Sequence, residues 1–542
     1  MRFDRATAVA CLCLCAACGG TSTLPPAAQT TPGAAPAATP AAASAAPARQ
    51  APPSSAPARE IHFPPIVRAN TSSGLETNTV ALHGVPVVQV KLVIKSGSAA
   101  DPADLPGTAQ LVAQMLKEGT AKKTSAKIAE AIDYLGARLN IHNDEETISI
   151  DIQALADQLP VALGLVAELA TEPTFDEAEL KKLKKRELDR LSLMSQSPNF
   201  LARREFWKAL YGPHPYAHTD TTKEVVKRIK RSDLAAFHRK FFAPNNAYLV
   251  VVGDTTPEAV QESANKIFKT WASRPIAPAN YPAPPVRSAR EVVLVDRPES
   301  VQSVLYVGNL ALARKDPDYV PLLVANQVLG GSAASRMFMD LREKQSLTYG
   351  AYSDLDEGLV PVPFRAFAAV RNEVTAQAMK AFMEHLVRIS SLAAPEPELA
   401  DAKRLLIDSF PLHIETPGEI AGLVSELRTY GFPDNYWDGF RAEIQAVTAQ
   451  AALQAAQKYI KPNAALIVVV GKAAAVKDAV SAYGPVKVID TDGNLVVQDP
   501  AALQPAAAAP ATTSSAAPAA APAAAPAVAQ KPDIPKDAKQ EK

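Results

Sequence analysis

Two kinds of hydrophobic periodicity alternate along the chain between residues 66 and 497. Residues 85–96 (VPVVQVKLVIKS) and 146–153 (ETISIDIQ) are typical of strands, the second by strict alternation of polar and apolar positions. Helical spacing, with an apolar residue every three or four positions, predicts helices over 107–118, 124–135, 159–171 and 176–194. Gly136 is well placed to end the second of these helices. Strands interleaved with pairs of helices predict an α+β sandwich.

An internal repeat indicates that this sandwich occurs twice. The segment 240-KFFAPNNAYLVVVG matches 458-KYIKPNAALIVVVG at eight of fourteen positions, with an offset of 218 residues. Each copy is a helix end, a proline turn and a buried strand that stops at a glycine. Earlier in each half, 111-LVAQMLKEG parallels 323-LVANQVLGG at an offset of 212 residues. The same order of elements in two halves of similar length predicts two copies of one domain in tandem.

Proline and alanine mark the ends of the folded region. The ends of the chain are rich in Ala, Pro, Ser and Thr, a composition that buries too little apolar surface to offset chain entropy. The predicted division is a signal peptide (1–18), a disordered tether (19–65), an N-terminal domain (66–272), a proline-rich linker (273–290), a C-terminal domain (291–497) and a disordered tail (498–542).

Charge and cysteine content exclude some function classes. The chain has 56 Lys and Arg against 56 Asp and Glu, and so lacks the net positive charge that nucleic-acid binding favours. All four cysteines lie at the N-terminus, at positions 11, 13, 15 and 18. The folded region therefore has neither disulfides nor thiolate chemistry.

The N-terminus has the pattern of a secretory signal. Arg2 and Arg5 precede a short apolar run, and its end, 15-CAACGG, resembles the cleavage box of bacterial lipoproteins with Cys18 as the lipidated residue. An ordinary cleaved signal is the alternative, although a Pro/Ala tether follows at once. Because Gly19 stands where an Asp would indicate inner-membrane retention, the resemblance implies the periplasmic side of the outer membrane. Acyl chains on Cys18 would anchor the protein stably to the membrane.

The segment 107-GTAQLVAQMLKEGT resembles the metal helix of the pitrilysin/insulinase family of zinc peptidases, the inverzincins. Their signature is H-x-x-E-H on a helix, preceded by Gly and followed by Gly-Thr. Gly107 and Gly119 fix the register, so that Gln110, Ala113 and Gln114 occupy the His, Glu and His positions. A carboxamide is a poor zinc ligand and Ala cannot act as a base. The resemblance therefore implies that this chain holds no zinc.

Other candidate metal ligands are weak. Glu187 lies near the place of the family's distal zinc ligand, but a surface Glu among lysines is the better interpretation. His214 and His218 are four residues apart, yet Pro213 and Pro215 exclude the helix that would bring them together. We interpret both histidines as loop residues.

The segment 329-LGGSAASRMFMDLREKQSLTYGAYS resembles the best-known stretch of the family's C-terminal-type domain. The match assigns Arg342 and Tyr349 to two side chains that project into the active site of an opposing zinc-bearing domain. The resemblance implies that they bind the substrate backbone and the oxyanion of the tetrahedral intermediate. From the residues alone, Arg342 could instead pair with Asp340 or Glu343, and Tyr349 could be a half-buried strand aromatic.

The resemblance covers roughly residues 70–490 and implies two homologous α/β sandwich domains of the pitrilysin/processing-peptidase type. The leading hypothesis is a non-catalytic subunit that contributes Arg342 and Tyr349 to a homologous partner, which carries the zinc and shares an unfolded peptide substrate. The alternative is a pseudo-peptidase scaffold or peptide-binding protein without a catalytic role. An autonomous zinc peptidase is disfavoured because three essential side chains are absent.

Overall fold

The computed structural model describes residues 61–277 and 280–498. The first half contains the strands β1 (Val67–Asn70), β2 (Glu76–Ala81), β3 (Val87–Ile94), β4 (Arg138–Asn143), β5 (Ile148–Leu155) and β6 (Ala247–Gly253). Its helices are α1 (Thr108–Met115), α2 (Ser125–Tyr134), α3 (Leu159–Thr171), α4 (Glu177–Met194), α5 (Pro198–Tyr211), α6 (Lys223–Arg228), α7 (Arg231–Phe241) and α8 (Pro257–Ile267).

The second half repeats this mixture of elements. Its strands are β7 (Glu291–Asp296), β8 (Gln302–Leu310), β9 (Thr348–Leu355), β10 (Pro363–Arg371), β11 (Leu466–Gly471), β12 (Val486–Ile489) and β13 (Leu495–Gln498). Its helices are α9 (Tyr319–Leu329), α10 (Arg336–Phe338), α11 (Thr375–Ile389), α12 (Glu396–Ser409), α13 (Pro417–Tyr430), α14 (Tyr436–Ala446), α15 (Ala449–Tyr459) and α16 (Ala473–Ser481). The turn α10 continues as a π-helical segment, Met339–Lys344.

The repeated sequence occupies equivalent places in two sheets. The first sheet has the order β1-β2-β6-β3-β5-β4, and the second has the order β13-β12-β7-β11-β8-β10-β9. The strand β6 pairs parallel with β2 and antiparallel with β3, and β11 pairs in the same way with β7 and β8. Two domains of one fold in tandem are therefore confirmed. Within the described residues, no helix is long and apolar enough to cross a membrane.

Each half also covers the sheet of the other. Helix α5 of the first half packs on β8 and β11, where Phe206 and Trp207 join a core with Tyr306 and Val468. Helix α13 of the second half packs on β3 and β6, and the Tyr248 hydroxyl donates to the Ser425 carbonyl at 3.1 Å. Burial of these apolar faces ties the halves into one body.

The helices predicted from periodicity are confirmed as α1 to α4, with a 3₁₀ turn, Leu116–Glu118, completing the first. Gly136 follows α2 with a φ of 56°, the left-handed conformation expected just after a helix end. The predicted signal peptide, Cys18, residues 19–60 of the tether and nearly all of the tail lie outside the described residues.

Candidate functional site

Helix α1 carries the three positions where the family signature has its zinc ligands and base. Its first turn is fixed by Asp101, whose carboxylate accepts hydrogen bonds from the backbone N–H of Gly107 at 2.6 Å and of Ala109 at 2.7 Å. Burial raises the pKa of Asp101 to about 7, against the lowering effect of these bonds. Gln110, Ala113 and Gln114 are spaced to share one helix face, and Ala113 is buried.

Glu187 is buried, with only 3% of its surface exposed, and its interpretation as a surface residue was wrong. The buried positions of α4 are Leu180, Leu183, Glu187 and Leu191, which follow helical spacing. Glu187 thus belongs to the inward stripe of α4, while the neighbouring lysines point outward. The helical spacing of the apolar residues around Glu187 indicates that it faces inward, but the lysine-rich composition of the segment obscured this spacing.

Arg190 holds Glu187 in place. Its Nε donates to both carboxylate oxygens of Glu187 at 3.1 and 3.0 Å, and its Nη2 donates to Oε1 at 2.7 Å. The same Nη2 donates to Asp220 Oδ1 at 2.5 Å. Burial disfavours the guanidinium charge, but the two carboxylates outweigh it and raise the pKa of Arg190 above its ordinary value. Gln110 reaches the cluster from α1, with its Nε2 at 3.5 Å from Glu187 Oε1.

These side chains do not fit zinc. Structural and catalytic zinc sites use thiolate, imidazole and carboxylate ligands, whereas α1 offers two carboxamides and a methyl group. The two nearby carboxylates, Glu187 and Asp220, already accept hydrogen bonds from Arg190. Across residues 61–277 and 280–498, no three His, Cys, Asp or Glu side chains are grouped to hold a metal ion.

The second-half candidates, Arg342 and Tyr349, lie together. The guanidinium carbon of Arg342 is 4.6 Å from the centre of the Tyr349 ring and 4.9 Å from that of Phe338. Tyr349 is 86% exposed, so the alternative of a half-buried strand aromatic is wrong. Arg342 Nε lies 3.3 Å from Glu343 Oε1 in an exposed ion pair. Asp340, the other partner considered, accepts from His385 Nε2 at 2.8 Å.

The backbone around this pair is specialised. Arg342 is part of the π-helical segment. Ser346, two residues after that segment, has a φ of 53°, a left-handed conformation uncommon for a residue other than glycine. The Ser346 N–H donates to the Arg342 carbonyl at 3.1 Å, and β9 begins two residues later. Gly330 lies so close to β9 that a Cβ there would stand 2.3 Å from the Ser353 backbone N. The glycine is therefore needed for α9 to approach this strand.

His214 and His218 do not form a metal pair. A single 3₁₀ turn, Pro215–Ala217, separates them, and His214 is buried among aromatic rings. Its ring centre lies 4.8 Å from that of Tyr216 and 5.2 Å from that of Tyr281. Burial lowers the pKa of both histidines. His214 is thus a packing residue of the loop.

Comparisons with known proteins agree with this architecture. The family description "Insulinase (Peptidase family M16)" matches residues 79–218, and "Peptidase M16 inactive domain" matches residues 228–406. The uncharacterized zinc protease YmxG of Bacillus subtilis is 24% identical over 345 residues, which are 62% of this chain and 82% of that protein. The non-peptidase homolog YmxG of Helicobacter pylori is 24% identical over 370 residues, 68% of this chain and 84% of that protein.

Solved structures show the same arrangement. A peptidase M16 inactive domain from Pseudomonas fluorescens superimposes with a TM-score of 0.71 at 28% identity, covering 75% of this chain and 98% of that one. A protease from Helicobacter pylori has a TM-score of 0.70 at 20% identity, covering 75% of this chain and 99% of that one. With both halves matched in order by the family descriptions and the whole fold matched by solved relatives, the chain belongs to the insulinase (M16) peptidase family.

Proposed function

We propose that this chain is the non-catalytic, substrate-binding subunit of a two-chain zinc peptidase of the insulinase family. The observation that carries the proposal is the exposed Arg342–Tyr349 pair in a chain whose metal helix offers only Gln110, Ala113 and Gln114. The zinc ligands and the catalytic base are thus missing, whereas the Arg and Tyr that would contact the substrate are present. A homologous partner with an intact zinc helix would supply the missing half, and this chain itself needs no cofactor.

Arg342 and Tyr349 have the chemistry for such a role. A guanidinium presents several N–H donors in a rigid fork and a phenol presents one O–H donor, and both favour an acceptor that carries negative charge. The Arg342 side chain is 37% exposed and its partner Glu343 is 49% exposed, so this ion pair is weak and easily exchanged for a ligand. Donation to a substrate carbonyl would strengthen as that oxygen becomes an oxyanion.

The substrate in this proposal is an unfolded peptide. Strand β4 ends the first sheet and β9, which carries Tyr349, ends the second. An edge strand can offer N–H and C=O groups to an extended peptide. On β9 the Ser353 N–H already donates to the Gly330 carbonyl at 2.9 Å, so a peptide would pair at the Tyr349 end of the strand. A peptide held along β9 would bring its own carbonyl groups beside Tyr349.

The location proposed for this complex is the periplasm, with Cys18 lipidated and anchored to the outer membrane. Support comes from the short apolar run, the 15-CAACGG junction and the Pro/Ala tether. The tether would let the folded halves work away from the lipid surface.

A scaffold without a catalytic role is the second candidate. The names of two relatives, the Helicobacter pylori non-peptidase homolog and the Pseudomonas fluorescens inactive domain, favour a chain without peptidase activity of its own. They do not distinguish a scaffold from a catalytic partner. The exposed Arg342–Tyr349 pair supports the catalytic partner, because a scaffold has no chemical need for it.

Reconstitution tests the proposal. This chain and a zinc-bearing family member from the same organism are purified separately, then assayed alone and mixed on a quenched-fluorescence peptide library. We expect cleavage only in the mixture, and co-elution of both chains in gel filtration. Activity of the partner that is the same with and without this chain, in a complex verified by co-elution, would leave the scaffold as the function.

A further inference from the structure

The position that corresponds to the family's zinc centre contains a cluster of charged side chains rather than apolar ones. Glu187 on α4 is 3% exposed and Asp220 is 12% exposed at its side chain, so two carboxylates lie at the base of the site. A buried carboxylate is costly unless a cation compensates it. In a metal centre that cation is the metal. Here the compensating cation among the described residues is Arg190, which reaches both carboxylates.

The geometry of Arg190 suits this replacement. Three of its hydrogen bonds go to Glu187 and one to Asp220, so the guanidinium fork uses both oxygens of Glu187 at once. Such a forked, charge-assisted pair is among the strongest hydrogen-bonded arrangements in proteins. Both oxygens through which Glu187 would bind a metal therefore already accept from Arg190.

The segment that carries Asp220 is fastened to α1. Thr221 packs directly against Gly107 at the start of that helix, where an added Cβ would lie 2.5 Å from the Thr221 Cβ. The Asp220 carboxylate also accepts from the Thr221 N–H at 3.0 Å. Arg190, whose side chain is 35% exposed, thus links α4 to a segment packed against the N-terminus of the former metal helix.

We infer that Arg190 has replaced the metal ion as the cation of this centre, and that it blocks metal binding even when the lost ligands are restored. Restoring the H-x-x-E-H pattern would place two imidazoles and a carboxylate on α1. A divalent ion at that position would still face the positive charge of Arg190 and a Glu187 whose two oxygens both accept from that guanidinium. The site is therefore closed to metal by a side chain outside the signature.

Metal binding by ligand-restored variants tests this inference. The variants are the triple Q110H/A113E/Q114H, the same triple with R190Q, and the same triple with R186Q. Arg186 is the matched control, because it lies on the same helix and pairs with Glu118 at 2.7 Å but is 58% exposed. Each is titrated with Co²⁺ and followed by its visible absorption bands, and zinc content after dialysis is measured by mass spectrometry.

We expect one tightly bound ion per chain only when Arg190 is replaced. The triple variant and the R186Q control should bind Co²⁺ about 100-fold more weakly or not at all. The quadruple variant with R190Q should also gain thermal stability when Zn²⁺ is added, which the other two should not. Circular dichroism and gel filtration check folding, and R190M replaces R190Q if the latter does not fold.

Two results would overturn the inference. The first is stoichiometric binding by the triple variant with an affinity equal to that of the quadruple variant. The second is a folded quadruple variant, with either R190Q or R190M, that binds no metal. Both are measurements on this chain alone and do not depend on any role of Arg342 or Tyr349.

Discussion

The guanidinium of Arg342 lies over the ring of Tyr349, 4.6 Å from its centre, beside the terminal strand of the second sheet. The pair is assembled within this chain, yet Tyr349 is almost entirely uncovered by it. A cation–π contact of this kind at an exposed site stabilises by only about 0.5–1 kcal/mol. Fold stability therefore gives little reason for this arrangement, and recognition of a further molecule gives a better one.

The Arg190–Glu187 pair should matter to stability far more than the exposed pairs of the same helix. R190L leaves Glu187 buried without its cation and should lower the free energy of unfolding by roughly 2–4 kcal/mol. K182A removes an exposed ion pair with Glu179 and should change it by less than about 0.5 kcal/mol. Urea unfolding of the wild type and both variants measures this, and equal losses would contradict a buried ion cluster.

Replacing Ser346 by glycine should increase the stability of the protein. Its φ of 53° is left-handed, so S346G relieves the clash of the Cβ with the following carbonyl and should stabilise by about 1 kcal/mol. S195G is the control, since Ser195 follows α4 with an ordinary φ of −63° and should lose stability instead. Thermal melts distinguish the two. Destabilisation by both substitutions would mean that the Ser346 side chain contributes more than its backbone costs.

His238 should make the protein sensitive to mild acid. Burial lowers its pKa to about 4 from an ordinary 6.5, while its Nε2–H donates to the Ala170 carbonyl at 2.8 Å. Because the unfolded chain takes up this proton at higher pH than the folded one, stability is complete above about pH 6.5 and falls as pH drops towards 4.

Between pH 7 and pH 5, protonation of His238 in the unfolded chain should lower the free energy of unfolding by about 2 kcal/mol. H238Q keeps an N–H donor without the titration and should remove that part of the pH dependence, whereas H83Q, at an exposed histidine, should not. Urea unfolding at both pH values measures the difference. Parallel pH dependence in the wild type and H238Q would show that His238 is not the acid-sensitive group.

Cys18 should decide where the protein is found. C18A removes the residue proposed to carry the lipid, so the protein should move from the membrane fraction to the soluble periplasmic fraction, or remain as an unprocessed precursor. C15A, three residues earlier in the same junction, is the matched control and should leave the protein membrane-bound. Fractionation with immunoblotting measures this. A processed C18A protein that still sediments with membranes would place the anchor elsewhere.

The sequence predicted the fold well because its repeat and its periodicity are local signals. The segments ending in Gly253 and Gly471 occupy the same sheet position because both are short, branched and apolar, and so favour a buried strand. Local signals could not predict that α5 packs on the second sheet and α13 on the first. It depends on which faces are complementary after folding, and an amphipathic helix does not specify the sheet that it covers.

The site was only partly predictable. The family resemblance, with its register set by Gly107 and Gly119, assigned Gln110, Ala113 and Gln114, and the structure has these three positions on helix α1. The role of Arg190 was missed, since its two partners are 3 and 30 residues away and the closer one was mistaken for a surface residue. Its significance appears only when α4 and the segment after His218 are brought together in space.

Turnover by the reconstituted complex, with Arg342 and Tyr349 altered one at a time, tests the central claim most directly. R342A and Y349F are compared with R404A and Y134A, which change an arginine 52% exposed and a tyrosine 90% exposed. With this chain at a saturating concentration and co-elution verified, R342A and Y349F should each lower kcat about 10²–10³-fold, as expected for the loss of one oxyanion donor. The two controls should retain wild-type kcat. Wild-type turnover by R342A and Y349F in intact complexes would contradict the account and leave this chain without a part in the chemistry.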